Sequence, residues 1–309
     1  MEPLRLLVLG RDDSRYLVQA SHYFMQELAK ETELRISHDS GDIQEIIDAM
    51  DFEPEFVYFH DYYEIESHQV TGLKELNIPY AVRLHDLHFE IEKRRQLLKN
   101  DGVRHVFTYY RDRFLDWFPE YASGMIWNPH HVNTDVFYDR GLERDIDILL
   151  TGAMFSNIYP LRIHYLNRFW GRPGFQYVPH PGYIQITEGE SHPHIGENYS
   201  KILNRAKICV TCDSVFKYPV MKYFEITASN SLLLAPSSQE LNDLGFVTGE
   251  HFVEVDETNF EDKVNYYLEH EDERLRIAQS GMQMVHERHN TKKRVKEFVA
   301  VLNRITSRG

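Results

Sequence analysis

Short, mostly apolar runs recur along this chain, most of them followed by a segment of helical periodicity. Leu4 to Gly10 (LRLLVLG), Leu34 to Ser37, Phe56 to Phe59 (FVYF), Tyr80 to Leu84 (YAVRL), His105 to Tyr109 and Gly124 to Trp127 are such runs. A segment apolar on successive residues buries both faces, as a parallel strand covered by helices must. Between the runs the spacing predicts helices over Ser14 to Glu31, Ile43 to Met50, a piece ending at Gly72 to Leu76, Glu90 to Leu98 and Arg111 to Phe118. After a polar stretch, Asn128 to Asp145, that reads as a linker, the rhythm restarts. Strands are expected at Ile146 to Thr151, Phe175 to Val178, Ile208 to Cys212, Ser231 to Ala235 and His251 to Val255. Helices are expected at Pro160 to Trp170, Tyr199 to Ala206, Glu257 to His270, Asp272 to Glu287 and Thr291 to Ile305. Strand–helix alternation is the pattern of an open parallel sheet, and two such sheets in series leave a cleft between them.

With 309 residues the chain has room for two ordinary cores, and 42% apolar residues mark a folded protein. The formal charge of −14 argues against broad nucleic-acid binding, which needs a basic surface, but leaves room for a local anion site. Cys209 and Cys212 form a lone CxxC in an apolar run, which does not support a structural zinc. No apolar run approaches the roughly 18 residues of a membrane span, and no leader is visible, so a cytoplasmic location is expected.

Lys217 to Pro236 (KYPVMKYFEITASNSLLLAP) is the stretch that carries chemistry. Pro219 suits the first turn of a helix, Val220, Met221, Phe224 and Ala228 follow at helical spacing, and Asn230 suits a left-handed stop. Lys222, Glu225 and Ser229 fall on one face. A cation and a carboxylate one turn apart suit a ligand with anionic and hydroxylated parts, such as a nucleoside diphosphate sugar. The same spacing also fits a solvated Lys–Glu pair.

Asp147 to Gly152 (DILLTG), Tyr199 to Cys212 (YSKILNRAKICVTC), Lys222 to Asn230 (KYFEITASN) and the segments Glu240 to Glu257 and Tyr266 to Ile277 resemble the group 1 glycosyltransferases of the GT-B fold, especially the spore-maturation-type (CgeB-like) branch. The resemblance is specific in the second half of the chain and looser in the first. It implies an α/β chain of two Rossmann-like domains facing each other across a cleft. Residues 1–139 would form the acceptor-side domain and 140–285 the donor-nucleotide domain. A helix over 286–309 would be free to cross back. It further implies a nucleoside diphosphate sugar as donor substrate, no cofactor and no required metal. Carried over by position, Lys222 meets the donor diphosphate, Glu225 the ribose hydroxyls, and Gly152 ends the first strand of the donor domain. Many relatives have a second Glu where this chain has Lys217, which would then supplement the diphosphate site.

An inverting transfer needs a general base near the acceptor hydroxyl. Ligands of open parallel sheets bind beyond the carboxyl ends of the strands, where the first half offers Asp86, His85 and His88 after Tyr80 to Leu84. Asp12, Asp13 and Asp61 stand at other strand ends, and short polar residues there also cap helices. The tyrosines at 58, 62, 63, 109 and 110 suit either sugar stacking or core packing. His180, His192 and His194 fall in a Pro- and Gly-rich loop. Two further readings are a GT-B scaffold that binds without catalysis, motivated by the missing Glu, and a signalling receiver built on Asp12, Asp13 and Asp61. The receiver lacks the Lys it would need, since HVFTYY runs into Arg111. The acceptor is not identified by the sequence.

Overall fold

The computed structural model describes residues 2–15, 19–62, 69–180, 182, 192 and 195–307. The chain divides into two compact α/β units. Unit 1 takes the leading segment through Ser14, Ser21–Pro129, and the chain from Lys292 onward; unit 2 takes His130–Thr291 together with Arg15, Gln19 and Ala20.

Unit 1 contains β1 (Arg5–Leu9), α1 (Ala20–Glu31), β2 (Glu33–Ser37), β3 (Gly41–Asp42), α2 (Ile43–Asp48), β4 (Phe56–Phe59), β5 (Val70–Thr71) and β6 (Tyr80–Leu84). It continues with α3 (Ile91–Asn100), β7 (Val106–Thr108), α4 (Arg111–Trp117) and β8 (Met125–Trp127). Six strands form a parallel sheet in the order β2-β1-β4-β6-β7-β8, and β3 pairs with β5. The apolar runs explain its centre: Leu6, Leu7 and Val8 are all buried, although successive side chains point to opposite faces. Helix α1 begins at Ala20, later than the periodicity predicts, with Ser14 and Arg15 in a turn; Tyr16 and Leu17 lie outside the described residues. The helix expected to end at Leu76 is a single 3₁₀ turn, Leu73–Glu75.

Unit 2 contains β9 (Ile146–Gly152), α5 (Pro160–Phe169), β10 (Phe175–Pro179), α6 (Gly196–Asn204), β11 (Ala206–Val210), α7 (Lys222–Ala228) and β12 (Leu232–Ala235). It closes with α8 (Gln239–Asp243), β13 (Val253–Glu254), α9 (Phe260–Glu269) and α10 (Glu271–Arg288). Its parallel sheet runs β10-β9-β11-β12-β13. The chain passes from β9 to one neighbour, β10, and then crosses to the other, β11, so the sheet's switch point lies between β9 and β11. The polar stretch read as a linker packs into this unit from His130 on: Arg140 N–H donates to Asn204 Oδ1 at 2.7 Å, and its side chain reaches Ser200 Oγ and the Val136 carbonyl. Strand β11 ends at Val210, leaving Cys212 beyond it. Both cysteines are buried, and burial pushes the thiols up to about 12 for Cys209 and about 11 for Cys212, which keeps them protonated and unreactive.

The last helix, α11 (Thr291–Thr306), places Val295, Phe298 and Leu302 in the core of unit 1, against Phe24, Tyr58 and Phe107. Among the described residues no helix is long and apolar enough to cross a membrane.

Candidate active site

At the carboxyl end of β9 the chain needs a residue without a side chain. Gly152 has φ +114°, and a Cβ there would stand 2.8 Å from Lys222 Cε and 2.9 Å from Arg162 Nη1. Two cationic side chains therefore converge on one glycine. Arg162 comes from α5, where Arg162, Tyr165 and Phe169 share the buried face at i, i+3 and i+7. Its guanidinium donates to the Ala153 carbonyl at 2.8 Å and stacks 3.9 Å from the Tyr159 ring centroid. Lys222 opens α7, with its ammonium 5.5 Å from the Tyr199 ring centroid. Tyr199 itself is held by a 2.9 Å bond between its hydroxyl and Thr151.

Glu225 lies one turn along α7 and is half-buried. Burial raises its pKa and the Lys222 charge opposes the rise. Burial lowers that of Lys222; Glu225 opposes the drop and Arg162 reinforces it. Neither side chain has an ion-pair or hydrogen-bond partner among the described residues, so cation and carboxylate both remain open to a ligand. His180, at the end of β10, belongs to the same neighbourhood: burial, then the Lys222 and Arg162 charges, pull its pKa down to about 4. These groups stand at the carboxyl ends of β9 and β10, beside the switch point, where open α/β sheets bind ligands.

Two sequence expectations for this stretch change. Pro219 lies outside the helix, which begins only at Lys222. The first amide groups of α7 are also occupied: those of Tyr223, Phe224 and Glu225 bond the carbonyls of Val220 and Met221. The anion-binding capacity thus rests on side chains, not on a helix start. Lys217 has φ +61° and its ammonium pairs with the buried Asp213 carboxylate at 3.5 Å. Asn230 takes the expected left-handed stop at φ +57°.

In unit 1, His85 Nε2 lies 2.7 Å from the His60 carbonyl oxygen and 3.4 Å from Asp61 Oδ1. A carbonyl only accepts, so Nε2 carries the proton and a neutral His85 keeps its lone pair on Nδ1. Asp61 is buried at the end of β4 and accepts from the Arg11 amide at 3.1 Å. Burial would raise its pKa, but His60, His85 and Arg11 together hold it below the ordinary carboxylate value. Asp86 is exposed; its carbonyl, rather than its carboxylate, is used, accepting from Arg94 at 2.7 Å. His88 is half-buried three residues past His85. His60, Asp61 and His85 place one possible ligand atom each within 4.8 Å of one another. His60 Nε2 is engaged with Ser21 Oγ at 2.9 Å, and burial lowers its pKa to about 3. Asp13 and Asp61, grouped in the receiver reading, are bridged by Arg11, whose Nε donates to Asp13 at 2.7 Å.

Residues 158–300 match the family described as glycosyl transferase-like. No curated protein sequence matches the chain. Among solved structures, HepE of Anabaena in complex with UDP-glucose superposes with a TM-score of 0.62 at 8% identity, over 96% of this chain and 99% of that one. A glycosyltransferase from Rickettsia africae ESF-5 gives 0.63 at 11% identity, over 98% of each chain. Sucrose-phosphate synthase from Thermosynechococcus elongatus gives 0.59 at 11% identity, over 86% of this chain and 77% of that one. The likeness is one of fold: an α/β chain of Rossmann-like units of the GT-B type.

Proposed function

We propose that the chain is a glycosyltransferase of the group 1, spore-maturation-type branch that takes its sugar from a nucleoside diphosphate sugar. The observation that carries the reading is the convergence of Lys222 and Arg162 on Gly152, with Glu225 one turn along α7 and without an ion-pair or hydrogen-bond partner among the described residues. When the sugar–phosphate bond breaks, its electron pair stays on the departing diphosphate. Arg162 and Lys222 meet that charge in a partly desolvated place, where it is worth more than in water. Glu225, ionised, accepts from the two ribose hydroxyls. The match of residues 158–300 and the UDP-glucose bound by the HepE neighbour support a sugar-nucleotide donor.

In the same reading the acceptor hydroxyl, for a direct displacement, gives its proton to His85 Nδ1, with Asp61 fixing the ring from the other side. Asp86 and His88 flank that base, and Lys217 acts through Asp213.

Calorimetric titration with a panel of nucleoside diphosphates tests the donor site. One of them binds, and Lys222→Ala and Glu225→Ala each weaken it about 10- to 100-fold with unchanged circular dichroism. Equal affinities for every diphosphate in both variants would remove the assignment. Binding without hydrolysis or transfer of any sugar from the matching donor would make the chain a scaffold instead.

A further inference from the structure

The opposite end of the unit 1 sheet is where β6, β7 and β8 begin. There a groove of about 620 Å³ opens between the strand starts and the end of α11. Lys74, Arg104 and Arg304 line it, all three exposed, and none of them has an ion-pair or hydrogen-bond partner among the described residues. No carboxylate is in the lining among the described residues. Asp101 and Glu75 stand near Tyr80 but outside the groove, and Asp101 accepts from the Tyr62 hydroxyl at 2.6 Å. His105, whose pKa burial and the Arg104 charge pull down, is a neutral partner among the cations. Beside the polar Asn77, Tyr80 and Ser123, the lining has an aliphatic part: Ile78, Met125, Ile126, Val301 and Ile305 are each only half-buried.

Three cations without a partner among the described residues, gathered in one groove beside aliphatic side chains, stand out on a chain with a formal charge of −14. With no carboxylate in the described lining, they make a local positive field whose reach is about one Debye length, roughly 10 Å. That range suits one small anionic group and not an extended polyanion, which would run onto the acidic surface. The floor adds a demand that inorganic anions do not meet, because half-exposed aliphatic surface gains only from covering by another apolar body. The volume is that of an ordinary small-ligand site.

We propose that this groove binds an amphiphile made of a single phosphate headgroup and a hydrocarbon chain. The phosphate sits among Lys74, Arg104 and Arg304, and the chain covers the aliphatic floor beside α11. The site is separate from the groups at the carboxyl ends of the strands and does not depend on the sugar-transfer reading.

Titration calorimetry with dodecyl phosphate below its micellar concentration tests it on the full chain, beside inorganic phosphate and a neutral dodecyl glycoside. Dodecyl phosphate is expected to bind at least about tenfold tighter than either comparator. The double variant Arg104→Glu, Arg304→Glu, altered only at exposed positions, is expected to lose at least about tenfold in that affinity at an unchanged melting temperature. Equal affinity for inorganic phosphate, equal affinity for the neutral glycoside, or an unaffected double variant would each overturn the proposal.

Discussion

Gly152 is a position where no other residue fits without cost. Its φ of +114° disfavours any L side chain, and a methyl group would meet the ends of Arg162 and Lys222 at under 3 Å. Both neighbours are long side chains whose tips would be pushed away from the place they now share. Gly152→Ala is expected to cost about 1–2 kcal/mol in urea unfolding. It should also weaken a nucleoside diphosphate more than the bare nucleoside, because the cations move while Glu225 stays. Equal losses for the two ligands would place the diphosphate elsewhere. Lys222 and Glu225 were legible in the sequence because their partnership is local, one helical turn. Arg162 was not. Its signal, an arginine on the apolar stripe of α5, was present, but its meaning depends on Gly152 at the end of β9 and on Cys212 just past β11. For the same reason the sequence favoured Asp86, the chain neighbour of His85, over Asp61. Asp61 reaches His85 only because β4 and β6 lie side by side in the sheet.

The segment joining β11 to α7 shows why the start of that helix was misjudged. Pro219 followed by helical spacing resembles a first turn, yet Lys217 at φ +61° and the early bonds to Val220 and Met221 delay the regular helix to Lys222. The segment also buries a carboxylate. Asp213 is 8% exposed, and burial, against the pull of Lys217, pushes its pKa up to about 6 from the ordinary 3.8. A raised acid pKa means that the folded state favours the protonated form. The stabilisation it brings is complete below the unfolded value and is lost as pH rises through about 6. The unfolding free energy should therefore fall between about pH 4 and about pH 7, and Asp213→Asn should flatten that slope. At about pH 8 the variant is expected to exceed the parent by about 2–3 kcal/mol. Urea titrations across the range check it, and a parent whose slope the substitution leaves intact would assign the dependence to other groups.

Strand and helix types were legible nearly throughout because each unit repeats a local pattern, and the parallel sheets follow from runs buried on both faces. What local patterns do not carry is membership. Helix α11 follows α10 in the chain, yet its apolar face belongs to the core of unit 1. Phe298 lies 5.2 Å from Phe24, 4.8 Å from Tyr58 and 4.7 Å from Phe107 between ring centroids. All four rings are buried, so the first unit completes its hydrophobic core only with residues that lie more than half the chain away from its sheet. Such a contact closes a very long loop, and its cost grows only slowly with length, whereas each buried ring contributes in full. Phe298→Ala removes the ring at the centre of this cluster and is expected to cost about 3–5 kcal/mol. The loss should be local to unit 1. Hydrogen exchange read by peptide mass should speed up in β1, β4 and β7 and stay unchanged in β9, β11 and β12. Equal acceleration in both sets would mean that the core around Phe298 supports both sheets rather than the first alone.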